Sequence, residues 1–176
     1  MICATCRKGN SCPLHEPGGE LGRPERLVGI GFRCWLAGYD TGSVEAWECG
    51  WDIYRDAVGD GPARRLVGEL SCWARDVHGT ARRRLSYYPF LHAVDASRFS
   101  DDEMLGVRLI CAAQAGARAE EDRFAEALTG RRGNTRVTAS ARSFAEALTD
   151  TGLTLFAMDD NLLVISGAAE QEMHPR

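Results

Sequence analysis

The sequence predicts a mainly α fold: a helical bundle-like domain that ends in a short β-hairpin and is preceded by an irregular Cys/His appendage. Three observations carry this reading. Apolar residues recur three and four positions apart over most of the chain, and Ser, Pro and Gly sit where helices start and stop. The period changes to that of strands only near residue 153, and the first 23 residues have almost no apolar periodicity.

Residues 1–23 contain Cys, Pro and Gly and end in Pro17-Gly18-Gly19, the composition of an appendage on a linker. From Pro24, a favoured first helical residue, Leu27, Val28, Phe32, Trp35, Leu36 and Tyr39 follow helical spacing. Gly29 and Gly31 weaken that pattern and leave a buried strand as the alternative. Ser43 is an N-cap for a helix whose stripe is Val44, Trp47, Trp51, Tyr54 and Val58, stopped by Gly59. Pro62 opens a third helix, with Ala63, Leu66, Leu70, Trp73 and Val77 on one face and Gly79 after its end. The two tryptophan-bearing stripes are expected to face each other.

After the basic run Arg82-Arg83-Arg84 and the aromatic stretch Tyr87, Tyr88, Pro89 and Phe90, Ser100 and Glu103 form a capping-box pattern. The helix it opens is apolar on much of its circumference through Met104, Leu105, Val107, Leu109, Ile110 and Cys111. That marks it as the expected central helix. Gly116 breaks it before a helix over 120–128, residues 130–136 form a basic turn, and a last helix runs from about Ser140 to Gly152. Two apolar runs, 153–158 and 162–165, flank Asp159-Asp160-Asn161 as a hairpin with an acidic tip, and 168–176 reads as a disordered tail. Residues 124–129 recur identically at 144–149, which is too short a match to mark a structural repeat. The domain organisation is therefore 1–23, 24–167 and 168–176.

Composition bounds the function. The 176 residues, 44% hydrophobic and 26% charged, suffice for one globular domain. A net charge of −4 opposes a broad nucleic-acid-binding surface, whose affinity comes from neutralising phosphates. Of 21 basic residues only Lys8 is lysine, a bias from which no function follows. No basic start leads into an apolar run, and nothing approaches the roughly 18 apolar residues of a membrane span. Seven cysteines, an odd number, suit a reducing compartment, so a cytoplasmic protein with free thiols is expected.

The pointed chemistry is at the N-terminus. Cys3, Cys6, Cys12 and His15 give C-x-x-C, five residues, then C-x-x-H, a candidate tetrahedral metal set. Gly9 and Asn10 permit the reversal that brings the second pair back. Zinc suits three thiolates and an imidazole, and structural zinc supplies roughly 10 kcal/mol to a segment with no core of its own. An iron-sulfur cluster is the alternative, with Cys34 or Cys49 replacing His15. A Cys3/Cys6 redox dithiol and an unliganded tail are the other readings, the dithiol lacking the flanking βαβ pattern.

Elsewhere the bland readings prevail. Cys111 reads as a small hydrophobe; Cys72 lies off its helix's apolar stripe among Arg65, Glu69, Arg75 and Asp76, where arginine favours a thiolate. His78 suits a helix C-terminus, Asp101 and Asp102 a helix N-terminus, and Asp159 and Asp160 a hairpin tip. No phosphate loop, H-E-x-x-H or G-x-S-x-G occurs. The function expected is a metal-binding regulatory or adaptor protein with a protein partner. One alternative is a cofactor-using or accessory enzyme whose pocket is bordered by Tyr87, Tyr88, His92 and Asp95. The other is a nucleic-acid-binding regulator using residues 101–165, with Arg131, Arg132, Arg136 and Arg142 on phosphate, a reading that the acidic hairpin tip opposes.

Overall fold

The computed structural model describes residues 22–89 and 98–156. Within them the chain forms six helices: α1 (Arg23–Thr41), α2 (Val44–Val58), α3 (Asp60–Thr80), α4 (Asp101–Ala115), α5 (Arg118–Thr129) and α6 (Thr135–Asp150). No strand occurs among the described residues. The Cys/His appendage, the tail and the hairpin beyond residue 156 lie outside them.

The local signals of α2 and α4 act as read. The Ala46 N–H donates to Ser43 Oγ, and Ser100 and Glu103 exchange both bonds of the capping box. Gly116 closes α4 in the left-handed region at φ 68, where an L side chain is disfavoured. Several boundaries differ from expectation. α3 starts at Asp60, ahead of Pro62, and continues through Gly79 to Thr80, and α5 starts two residues early, at Arg118. α6 starts at Thr135, because the Asn134 side chain accepts the Val137 N–H and caps it. Part of the basic run 130–136 is thereby helix.

The central helix is α1, where α4 was expected. Every residue from Glu25 to Gly38 is buried, and α1 packs against α2, α3 and α4. Its glycines receive aromatic rings: a Cβ on Gly29 would lie 2.4 Å from Phe99, and one on Gly31 2.6 Å from Tyr54. These close approaches explain why glycine stands inside a helix despite its cost, and they dispose of the strand alternative. Phe32 stacks on Trp73 at 4.5 Å between centroids, and Trp73 stacks on Phe144 at 5.8 Å, which joins α1, α3 and α6.

α2 is also rotated from its expected register. Its buried residues are Ala46, Gly50, Ile53 and Tyr54, while Trp47, Trp51 and Val58 are half-buried and Val44 is 59% exposed. The repeated hexapeptide plays one role twice. Phe124, Ala125 and Leu128 of α5 and Phe144, Ala145 and Leu148 of α6 are all buried, and each terminal threonine hydroxyl donates to the alanine carbonyl four residues back.

Two polar clamps hold the non-helical segments. Arg33 Nε donates to Glu103 Oε1 at 2.6 Å with both side chains buried, and Arg33 also donates to the Arg98 carbonyl at 2.7 Å. Glu103 accepts the backbone N–H of Tyr88 and of Ser100. At the other end of α1, Gln114 donates to the Leu153 carbonyl at 2.9 Å and accepts the Leu155 N–H at 2.9 Å. The Phe156 N–H donates to Glu25 Oε1 at 2.6 Å.

Candidate functional site

The C-terminal ends of α1 and α3 converge, and residues 81–89 pass over the junction. Tyr39 anchors the pair by donating its hydroxyl to the Ser71 carbonyl at 3.0 Å. The next residue, Asp40, is the hub: Oδ1 pairs with His78 Nε2 at 2.8 Å and Oδ2 accepts from the Tyr87 hydroxyl at 3.0 Å. Arg84 Nε stands 3.6 Å from the same Oδ2. The His78 ring packs 5.6 Å from that of Tyr39.

Burial pushes the Asp40 carboxyl up, but hydrogen bonds with His78 and Tyr87 and the charges of His78 and Arg84 outweigh it, so its pKa falls below the ordinary aspartate value. The Tyr87 phenol moves the other way, raised by burial and by its bond to the carboxylate. Beside this network opens a cleft of about 530 Å³ lined by Ala37, Thr41, Arg84, Leu85, Ser86, Tyr87 and Pro89. Its chemistry is an apolar wall with a phenol and a guanidinium at the edge, and an aspartate-oriented imidazole behind them.

Of the aromatic-pocket residues, Tyr87 lines the cleft and Tyr88 does not. Tyr88 stacks on the Arg33 guanidinium, 5.6 Å from its ring centre, and belongs to the buried clamp. His92 and Asp95 lie outside the described residues. Sequence reasoning missed Asp40, and with it the pairing of His78, which it reads only as a helix C-terminal residue. They are 38 positions apart, and no local spacing links them.

The metal set Cys3, Cys6, Cys12 and His15 also lies outside the described residues, and among the described ones no group of three or more His, Cys, Asp or Glu is placed to hold a metal. Cys34 of α1 is buried and interacts with half-buried Cys49 of α2. Hydrogen bonding to Cys34 lowers the Cys49 thiol against the opposing effects of burial, Asp52 and Glu45. The same bond and complete burial raise Cys34. Cys111 is half-buried at the core margin, its thiol raised by burial and by Glu25 and Glu120. Cys72 is half-buried, with Arg75 3.8 Å away.

Of the four arginines named for phosphate contact, Arg132, Arg136 and Arg142 pair with carboxylates of the protein. Arg132 pairs with Glu126 at 2.9 Å, Arg136 with Asp76 at 2.8 Å and Arg142 with Glu121 at 2.6 Å. No helix among the described residues is long and apolar enough to cross a membrane. No protein-family model, curated protein or solved structure matches the chain, and the chemistry of the site is therefore read from its own residues.

Proposed function

We propose that this chain is a zinc-binding regulatory or adaptor protein of the cytoplasm, with Cys3, Cys6, Cys12 and His15 as the ligands and a protein as its partner. The observation that carries the reading is the sequence pattern itself, four ligands of the right chemistry within thirteen positions. The fold is compatible with an appended knuckle, because the described core runs from Leu27 to Leu155. Metal analysis of the reduced full-length protein tests the proposal. About one zinc per chain is expected, lost in Cys3→Ser and Cys12→Ser; equal, trace metal in all three proteins overturns it, and stoichiometric iron moves the site to a cluster.

A second reading rests on the cleft, where Tyr87, held by Asp40, and Arg84 border a site for a small, largely apolar molecule with one polar group. Ligand-detected NMR against a fragment set tests it. Fragments whose signals respond to wild type and not to Tyr87→Ala support the cleft, and identical responses from both proteins remove it.

A further inference from the structure

α1 and α2 cross through interlocked glycine and tryptophan residues. Trp35 of α1 lies over Gly50 of α2, where an added Cβ would meet its ring at 2.4 Å; Trp47 of α2 lies over Gly38 of α1 in the same way, at 2.1 Å. In this crossing a Cβ on Gly50 would stand 3.1 Å from the Cβ of Cys34. α2 therefore passes against Cys34 at Gly50, and the preceding residue, Cys49, lies on the same turn of α2, its side chain near enough to that of Cys34 for each thiol to perturb the other.

We propose that Cys34 and Cys49 form a dithiol modification site that a hydroperoxide oxidises to a disulfide joining α1 to α2. The two sulfurs have unequal access, which sets the order of events. Cys49 is half-buried and meets a small oxidant first; Cys34 is 1% exposed and meets only Cys49. The Cys49 thiolate attacks the terminal peroxide oxygen, the O–O bond breaks, and the departing alkoxide, or hydroxide from hydrogen peroxide, takes a proton to leave as an alcohol or water. Cys49 is then a sulfenic acid. The Cys34 sulfur attacks the Cys49 sulfur, the S–O bond breaks, and the hydroxide leaves as water with the Cys34 proton. Two thiols lose two electrons in all, and one hydroperoxide becomes water and an alcohol, or two waters when it is hydrogen peroxide.

The surroundings act on the two thiols in opposite directions. Glu45 and Asp52 of α2 oppose the Cys49 thiolate, whereas Cys34 favours it; Arg33 of α1 and Glu103 of α4 act on Cys34 with opposite signs. The glycine-tryptophan interlock holds α1 and α2 in close contact beside the two cysteines. The reduced form contains free thiols at both positions, as a reducing compartment would maintain between oxidative episodes.

Trypsin gives a clean readout, since no Lys or Arg lies between Cys34 and Arg55 and the peptide spanning residues 34–55 contains these two cysteines and no other. Reduced full-length protein is exposed to hydrogen peroxide, its remaining thiols are alkylated, and it is digested. The peptide is expected to lack both labels and to weigh less by two hydrogens; cleavage after Glu45 should leave its halves joined until a reductant is added. Cys49→Ser should abolish the change, Cys34→Ala should leave a sulfenic acid at Cys49 that dimedone traps, and Cys111→Ser should behave as wild type. A doubly alkylated 34–55 peptide from folded wild type under peroxide that has oxidised other cysteines overturns the proposal, as does a bridge from either residue to a different cysteine. The wild-type map decides the matter even if a variant fails to fold.

Discussion

The indole of Trp47 rests directly on Gly38, so close that a single added methyl would fall 2.1 Å from the ring nitrogen. Gly38→Ala removes a glycine from a helix, worth up to about 1 kcal/mol in propensity, but it forces a large ring out of a packed crossing at about 1–3 kcal/mol. Net destabilisation is expected in thermal melts. Gly68→Ala is the matched control, since its Cβ in α3 meets nothing within 4 Å; it should stabilise by about 0.4–1 kcal/mol.

Trp73 and Trp51 should behave very differently. Trp73 is wholly buried between Phe32 and Phe144, and truncation to Ala is expected to cost about 3–5 kcal/mol. Trp51 is half-buried, packed against the margin of the core and not within it. Trp51→Ala should therefore cost less than half as much in the same melt; equal losses would mean that the Trp51 face is covered in solution.

Helix ends were legible in the sequence, and the orientation of the helices much less so. Caps such as Ser43, Ser100 with Glu103, and Gly116 satisfy backbone groups of their own neighbours, so the few residues around each end contain the whole signal. α1 lacked such contrast. In α1 the polar residues Glu25, Arg26 and Arg33 are buried along with the apolar ones, so periodicity could not show that the helix is enclosed on every side, and its glycines make sense only with Phe99 and Tyr54, which come from distant segments. For α2 the tryptophans misled, because the row that enters the core is built from small residues, Ala46 and Gly50, with Ile53 and Tyr54. Tyr87 was found at the cleft from its aromatic neighbourhood, whereas the Asp40–His78 pair depends on two helix ends meeting, which no local pattern encodes.

Two ion pairs of opposite burial give a contrast in stability. Arg33→Met leaves the Glu103 carboxylate buried without its cation, and a loss of about 3–5 kcal/mol is expected in denaturant unfolding. Arg65 pairs with Asp150 where both side chains are about half exposed, 53% and 51%; Arg65→Met should cost less than about 1 kcal/mol.

Acid should weaken the link between residues 83–86 and α4. Burial raises the Asp102 carboxyl, but hydrogen bonds from Arg83 and from the Ser86 backbone and hydroxyl outweigh it and hold its pKa below the ordinary value of about 3.9. A depressed pKa stabilises the fold above the unfolded value, and the contribution fades as pH falls through the folded one. The difference in melting temperature between wild type and Asp102→Asn should be constant from about pH 7 to pH 5 and shrink below about pH 4. A difference that persists unchanged in acid would show that Asp102 acts through packing.

Glu25 takes the Phe156 N–H three residues after the described chain begins at Gly22. The polypeptide therefore enters and departs through one doorway. The cleft stands at the opposite pole, beyond the whole of α1, whose 19 residues extend about 28 Å at 1.5 Å each. Cargo fused ahead of Gly22 or after Phe156 is thus delivered to the doorway and leaves the far pole clear. A donor dye at Gly22 or Phe156 and an acceptor near Tyr87 would report the distance between the two ends of α1.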